Sequence, residues 1–243
     1  MKQKVICIFI FSLCFLFSSC GVSRFYTQTP IIFGFDTCHQ FKSTIDLGVA
    51  SIRTGFAYSF TNHFAVTLAG FGKGTIGVPP GITYGSSSSG GAGAIIGCGY
   101  YSHTKKDFSW DMFGGIGYTK MMMNKLIHDN SNYGGYISHS SNVFYSCFIQ
   151  PTIYSKGKEG AIAFTCKTTF VQNAHNYPFL DYKQPYTRDF IFEPCFTSAL
   201  NKTETVWAGV CFHLSAYYPQ YIQNTPISLV FRMMFDSKKF HEY

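Results

Sequence analysis

The 243-residue chain is 46% hydrophobic and 19% aromatic but only 13% charged, with 26 Phe, 17 Tyr and 23 Gly. It is too apolar for a disordered chain, yet past the N-terminus no run reaches the roughly 20 apolar residues of a spanning helix. The formal charge of +7 includes two N-terminal lysines and is otherwise spread over turns and loops. That distribution argues against nucleic-acid binding and suits a mildly basic rim beside anionic lipid headgroups.

Lys2 and Lys4 precede an apolar stretch over residues 5–17, which ends in Phe17-Ser18-Ser19-Cys20. This resembles a bacterial lipoprotein signal: residues 1–19 are removed, and Cys20 becomes the lipid-modified first residue, bearing acyl chains of the palmitate kind. The usual leucine three places before the cysteine is Phe17 here. An ordinary secretory signal cut near Ser19 is the plainer alternative. Residues 20–42 contain a proline and no sustained period, and are expected to be a linker.

From Thr44 onward the chain alternates. Successive strand side chains point to opposite faces, so Ile45 and Leu47 share one face against Asp46 and Gly48. The clearest stretch is 55–70, GFAYSFTNHFAVTLAG. Phe56, Tyr58 and Phe60, then Phe64, Val66 and Leu68, form a greasy face. Ala57, Ser59, Ala65, Thr67 and Ala69 form a slim one. A soluble sheet would carry charge on its outer side; here the second side is merely small. Further strands are expected over 90–101, 108–119, 142–155, 161–171, 190–200, 205–217 and 227–235. Most set large apolar residues against small or polar ones; 142–155 is aromatic on both sides and less clean.

This pattern predicts an all-β fold: a closed, antiparallel, up-and-down transmembrane β-barrel over residues 43–235, followed by a tail over 236–243. Short connections at 61–63, 103–107, 157–159 and 201–203 alternate with long ones at 73–89, 121–141 and 172–189, as in bacterial outer-membrane barrels. The alternation slips phase at 51–54. If those residues are a turn, the strand number is ten and both termini lie in the periplasm; ten is preferred, with eight as the alternative.

The carrying pieces are the Cys20 lipobox, FYTQTP in the linker, FAYSFTNHFAVTLAG, GCGYY at 97–101, FIQPT at 148–152 and FEPCF at 192–196. With these, the chain resembles the uncharacterised lipoprotein-type outer-membrane barrels of Bacteroidota-type bacteria. The resemblance implies a bacterial outer-membrane barrel, lipid-anchored, and brings no catalytic residues. Its implied partners are outer-membrane lipids and the lipoprotein-processing and barrel-insertion machinery. No nucleic acid and no cofactor is expected, and the oligomeric state stays open.

Six charged or titratable residues fall on the slim face: Asp46, Asp111, Lys167, Glu193, His213 and Arg232. In a closed ten-stranded barrel the last strand neighbours the first, so Arg232 can meet Asp46. Lys167 and Glu193 lie on neighbouring strands. They suit either a selectivity ring in a narrow passive pore or a plug of paired charges in a barrel too small for a channel. The plug is preferred, because buried charges need partners.

His139-Ser140-Ser141-Asn142 resembles the nucleophile motif of outer-membrane lipid A deacylases, with His139 and Ser141 sharing one face of a strand. No carboxylate stands where a triad needs one, so no enzymatic role is expected, and a lipid hydrolase is the third alternative. Met121-Met122-Met123 with His128 offers soft donors for copper(I), but suits an apolar rim better. None of the cysteines forms a C-x-x-C pair. Cys195 and Cys211 fall on consecutive strands and could face each other in the lumen, which permits a disulfide without requiring one. The expected role is structural, or recognition by the loops.

Overall fold

The computed structural model describes residues 34–48, 51–73, 87–103, 108–128, 135–157, 160–174, 188–201, 203–215 and 227–237. Cys20, the signal segment, most of the linker and most loop residues lie outside them. The described residues form ten strands: β1 (Phe41–Gly48), β2 (Ser51–Ser59), β3 (Phe64–Lys73), β4 (Ser87–His103), β5 (Phe108–His128), β6 (Gly135–Gly157), β7 (Gly160–Asn173), β8 (Arg188–Ala199), β9 (Val206–Phe212, resuming at Leu214–Ser215) and β10 (Ile227–Asp236). Each pairs antiparallel with its chain neighbours. β10 also pairs with β1, which closes the sheet into a barrel. No helix among the described residues is long and apolar enough to cross a membrane.

Closure decides which face is which. Phe56, Tyr58, Phe60, Phe64, Val66 and Leu68 are exposed on the outside, while Ala57, Ser59, Ala65, Thr67 and Ala69 are buried in the lumen. On the far side of the barrel β7 reads Ile162 out, Ala163 in, Phe164 out, Thr165 in. A barrel has no second sheet to bury its greasy side, so that side is the outer wall.

The phase slip at 51–54 is not a turn. Ser51, Ile52, Arg53 and Thr54 are strand residues, paired with 45–48 on β1 and 70–73 on β3. The turn lies two residues earlier, since Gly48 pairs with Ser51. A two-residue connection makes partners such as Ile45 and Thr54 opposite in parity, so the outward parity changes between Gly48 and Ser51, ahead of residues 51–54. The expected long connection at 121–141 is also mostly strand. β5 runs to His128 and β6 starts at Gly135, paired rung for rung.

Inside, glycines on β4 and β5 make room for rings from neighbouring strands. A Cβ on Gly93 would sit 2.4 Å from Phe71 Cζ, and one on Gly115 would sit 2.8 Å from Phe148 Cε1 and 2.2 Å from the Ile96 carbonyl oxygen. These glycines are seats for lumen aromatics.

The end of the barrel where β1 begins and β10 finishes is corked. Residues 34–40 fold into it, and Phe35 is buried with Ala57, Ala65, Ala69, Ile95, Tyr101, Phe113 and Phe148. The Phe35 and Tyr101 rings lie 5.1 Å apart. Gly34, at φ +53°, donates its N–H to the Tyr154 hydroxyl at 2.9 Å. Tyr101 donates its hydroxyl to the Thr37 carbonyl at 3.2 Å. The last part of the expected linker is thus a stopper.

Candidate functional site

Most of the buried charged residues described converge in the lumen. Arg232 on β10 is the register partner of Asp46 on β1. Its Nε and Nη2 donate to the two Asp46 carboxylate oxygens at 2.6 and 2.8 Å, a bidentate fork. Across the next rung Asp46 pairs with Arg53 on β2, which also lies within electrostatic reach of Arg232 and Glu193. Asp46, Arg53 and Arg232 are all buried.

A second group occupies the adjoining wall. Lys167 on β7 and Glu193 on β8 are register partners, with Lys167 Nζ 3.8 Å from Glu193 Oε2. The other Glu193 oxygen lies 2.8 Å from His213 Nδ1. The Lys167 ammonium stands over the Phe148 ring, 5.1 Å from its centroid. The side chains of Lys167, Glu193 and His213 are each no more than 5% exposed.

The register of β6 to β9 puts this group in one row, and two prolines mark it. Leu200 donates to the Val206 carbonyl, so hydrogen-bonded rungs between β8 and β9 recur at every second residue and include Pro194 with Phe212. Proline has no N–H to give. The ladder is interrupted there, between the pairs Cys195–Cys211 and Leu214–Phe192, and resumes in the same register. Likewise, Ala174 donates to the Val143 carbonyl, which puts Pro151 opposite Cys166 on a hydrogen-bonded rung between β6 and β7. That ladder is interrupted between Ile149–Thr168 and Thr152–Thr165. Each proline points outward, and the residue before it, Gln150 or Glu193, points inward and is buried. Gln150, Lys167, Glu193 and His213 therefore line up across four strands.

The third group sits beside the stopper. Tyr154 donates to Asp111 Oδ2 at 2.6 Å. Asp236 accepts from Gln40 Nε2 at 2.6 Å and faces Lys42 Nζ at 3.4 Å. Lys156 bridges Asp36 and Glu204 at 3.4 and 3.2 Å nearer the surface. A cavity of about 20 Å³, lined in part by Gly34, Lys42, Tyr154 and Asp236, has room for about one water.

All six lumen residues singled out in the sequence therefore point inward: Asp46 with Arg232, Lys167 with Glu193 and His213, and Asp111 with Tyr154. Lys42, Gln40, Arg53, Tyr154 and Asp236 escaped the sequence reading. Arg53 was assigned to a turn, Lys42 and Gln40 to a linker and Asp236 to a tail. Its own parity with Gly55 and Ala57 was the signal that could have found Arg53.

The remaining candidates do not converge. His139 and Ser141 lie on β6, paired with Asn124 and Met122, and Ser141 is exposed on the outer side. Met121 is buried in the lumen and Met122 is 56% exposed outside, so these two sulfurs cannot hold one ion. Among the described residues there is no group of three or more His, Cys, Asp or Glu arranged for a metal.

No family model matches the chain, and no curated protein matches it. Among solved structures, it is similar to the one titled "NanC porin structure in rhombohedral crystal form", at 5% identity over 80% of this chain and 97% of that chain, with a TM-score of 0.29.

Proposed function

We propose that this protein is a lipid-anchored barrel of the bacterial outer membrane whose lumen is a filled core and whose working surface is its loop end. The observation that carries this reading is the pairing of a greasy exterior with a plugged interior. Outward residues such as Leu68, Ile96, Ile116, Ile162 and Phe196 are each more than half exposed. Soluble monomers rarely expose contiguous apolar patches beyond a few hundred Å², and here the patch girdles the barrel.

Outward aromatics mark both ends, as membrane interfaces require. Near the corked end Phe64 meets Tyr100 edge-to-face at 5.5 Å, and Tyr100 stacks on Trp110 at 5.4 Å. Toward the loop end Tyr118 meets Tyr145 at 6.0 Å, and Phe170 meets Phe190 at 5.0 Å. The corked end faces the periplasm in this reading, which puts Cys20 within reach of the inner leaflet.

The test is threefold. Labelled palmitate is incorporated by the wild type and lost in Cys20→Ala. The protein stays with membranes through carbonate washing and is released by detergent. Refolded in detergent and shown by heat-modifiable gel mobility to be folded, it is silent in a planar bilayer. Discrete conductance steps, altered by Arg232→Ala, would overturn the filled lumen in favour of a narrow pore.

A further inference from the structure

Cys195 on β8 and Cys211 on β9 are direct register partners, and both are wholly buried on the lumen side. The rung phase set by Leu200 and Val206 makes them a non-hydrogen-bonded pair. In such pairs the Cα atoms stand about 4.5 Å apart and the side chains are at their closest. That spacing falls inside the Cα window of a disulfide, about 4.4–6.8 Å. No other described cysteine has a cysteine opposite: Cys98 faces Val66 and Gly114, Cys147 faces Ile116 and Phe170, and Cys166 faces Pro194.

The pair also sits where the wall needs it. The next rung is Pro194 with Phe212, the one that lacks a ladder donor. In the reduced protein the Cys211 thiol lies 4.0 Å from the Phe212 carbonyl oxygen, a weak substitute for the missing N–H. A covalent link one rung away would hold the two strands together irrespective of that bond.

We propose that Cys195 and Cys211 form a cross-strand disulfide that staples β8 to β9 beside the interrupted rung. This rests on the envelope location proposed above, because such bonds persist in oxidising compartments. The oxidant is a disulfide, that of an envelope thiol oxidase or of glutathione. One cysteine thiolate attacks it, forming a mixed disulfide and expelling one oxidant thiol. The second cysteine thiolate displaces the other oxidant sulfur, closing the Cys195–Cys211 bond. Two electrons pass to the oxidant, which leaves as two thiols with the two protons. Exchange precedes barrel closure, since both sulfurs are inaccessible afterwards.

The test maps thiols in the full chain. Cells are quenched in acid, and the protein is denatured with a thiol-capping maleimide, then digested without reduction. In parallel, reduced chain is refolded into detergent micelles with a glutathione redox buffer and treated the same way. The expected result in both is one peptide pair linked through Cys195 and Cys211, with the other described cysteines capped. Wild-type barrel refolded with the bond formed then shows a higher temperature of heat modification than wild type refolded fully reduced, and the Cys195→Ser/Cys211→Ser variant shows the same temperature under both conditions. Capped Cys195 and Cys211 in a folded, refolded barrel overturn the proposal on geometry. A linked pair after refolding with capped thiols in cells overturns it too, and puts the fault in the compartment.

Discussion

The two halves of this lumen are filled by different physics. Across β3 to β6 the inward residues include an apolar cluster, Ala65, Ala69 and Ile95 with Phe113 and Phe148, seated on glycines, and Asp111 is the buried charge among them. Here the ladders run unbroken from Phe108–Ser155 to His128–Gly135 between β5 and β6, and from Ser87–Lys125 to His103–Ser109 between β4 and β5. Across β7 to β10 and round to β2 the inward residues include Lys167, Glu193, His213, Arg232, Asp46 and Arg53. The β8–β9 ladder is short and interrupted at Pro194. One half is held by backbone rungs and ring packing. The other relies more heavily on side chains that bridge strands, of which the Asp46–Arg232 fork across the closing seam is the strongest example. A small barrel can therefore trade hydrogen bonds in its wall for ion pairs in its core.

The largest blow to that division is Arg232→Ala. It leaves Asp46 buried beside a single remaining register-paired cation, and breaking a buried pair in this way costs about 3–5 kcal/mol. Urea unfolding of the refolded barrel in detergent would show the loss as a lowered midpoint. A change no larger than that of a surface mutation would mean that the closing seam does not depend on the fork.

In the opposite half, Gly115→Ala drives a methyl into the Ile96 carbonyl and the Gly97 Cα, both backbone, and into the Phe148 ring. Overpacking of this kind costs about 1–3 kcal/mol, and the same unfolding assay measures it. Intact stability would show that the β4–β5 wall is looser than its contacts imply.

Pro194→Ala should go the other way. It returns an N–H to the rung opposite Phe212, a hydrogen bond of about 1 kcal/mol, partly offset by the freer unfolded chain. Amide hydrogen exchange near Phe212 should slow relative to β5 and β6, narrowing the difference between the halves. Unchanged or faster exchange would remove proline as the cause of the interruption.

The smallest effect belongs to Lys156→Ala. Its partners Asp36 and Glu204 lie near the surface, and the Lys156 side chain is 37% exposed. Such pairs contribute about 0–1 kcal/mol and fade with salt. A large loss would show that the bridge pins the stopper formed by residues 34–40 rather than decorating it.

What the chain discloses in one dimension follows from period. A closed wall has an outside and an inside at every strand residue, so alternation alone assigned Phe56, Val66 and Ile162 outward and Asp46, Glu193 and Arg232 inward. The Asp46–Arg232 contact was also readable, because closing an even-stranded barrel brings the last strand to the first. Where period is silent, the reading failed. A parity slip reports a tight hairpin but not its position, so Arg53 was lost to a supposed turn at 51–54. Residues 121–128 and 135–141 lack clean alternation and read as loop, although they extend the longest hairpin.

Three decisions belonged to the tertiary structure alone. Phe35 sits in a segment without pattern, and only the open mouth of a finished barrel gives it somewhere to bury. Gln150-Pro151 and Glu193-Pro194 are unremarkable dipeptides until the register sets them at one height on either side of Lys167. Cys195 and Cys211 become partners only because β8 and β9 pair with a particular stagger. Sequence periodicity determined which face each strand residue takes, since facing is a local property of an extended backbone. Partners were decided by register and closure, which are set by all ten strands together.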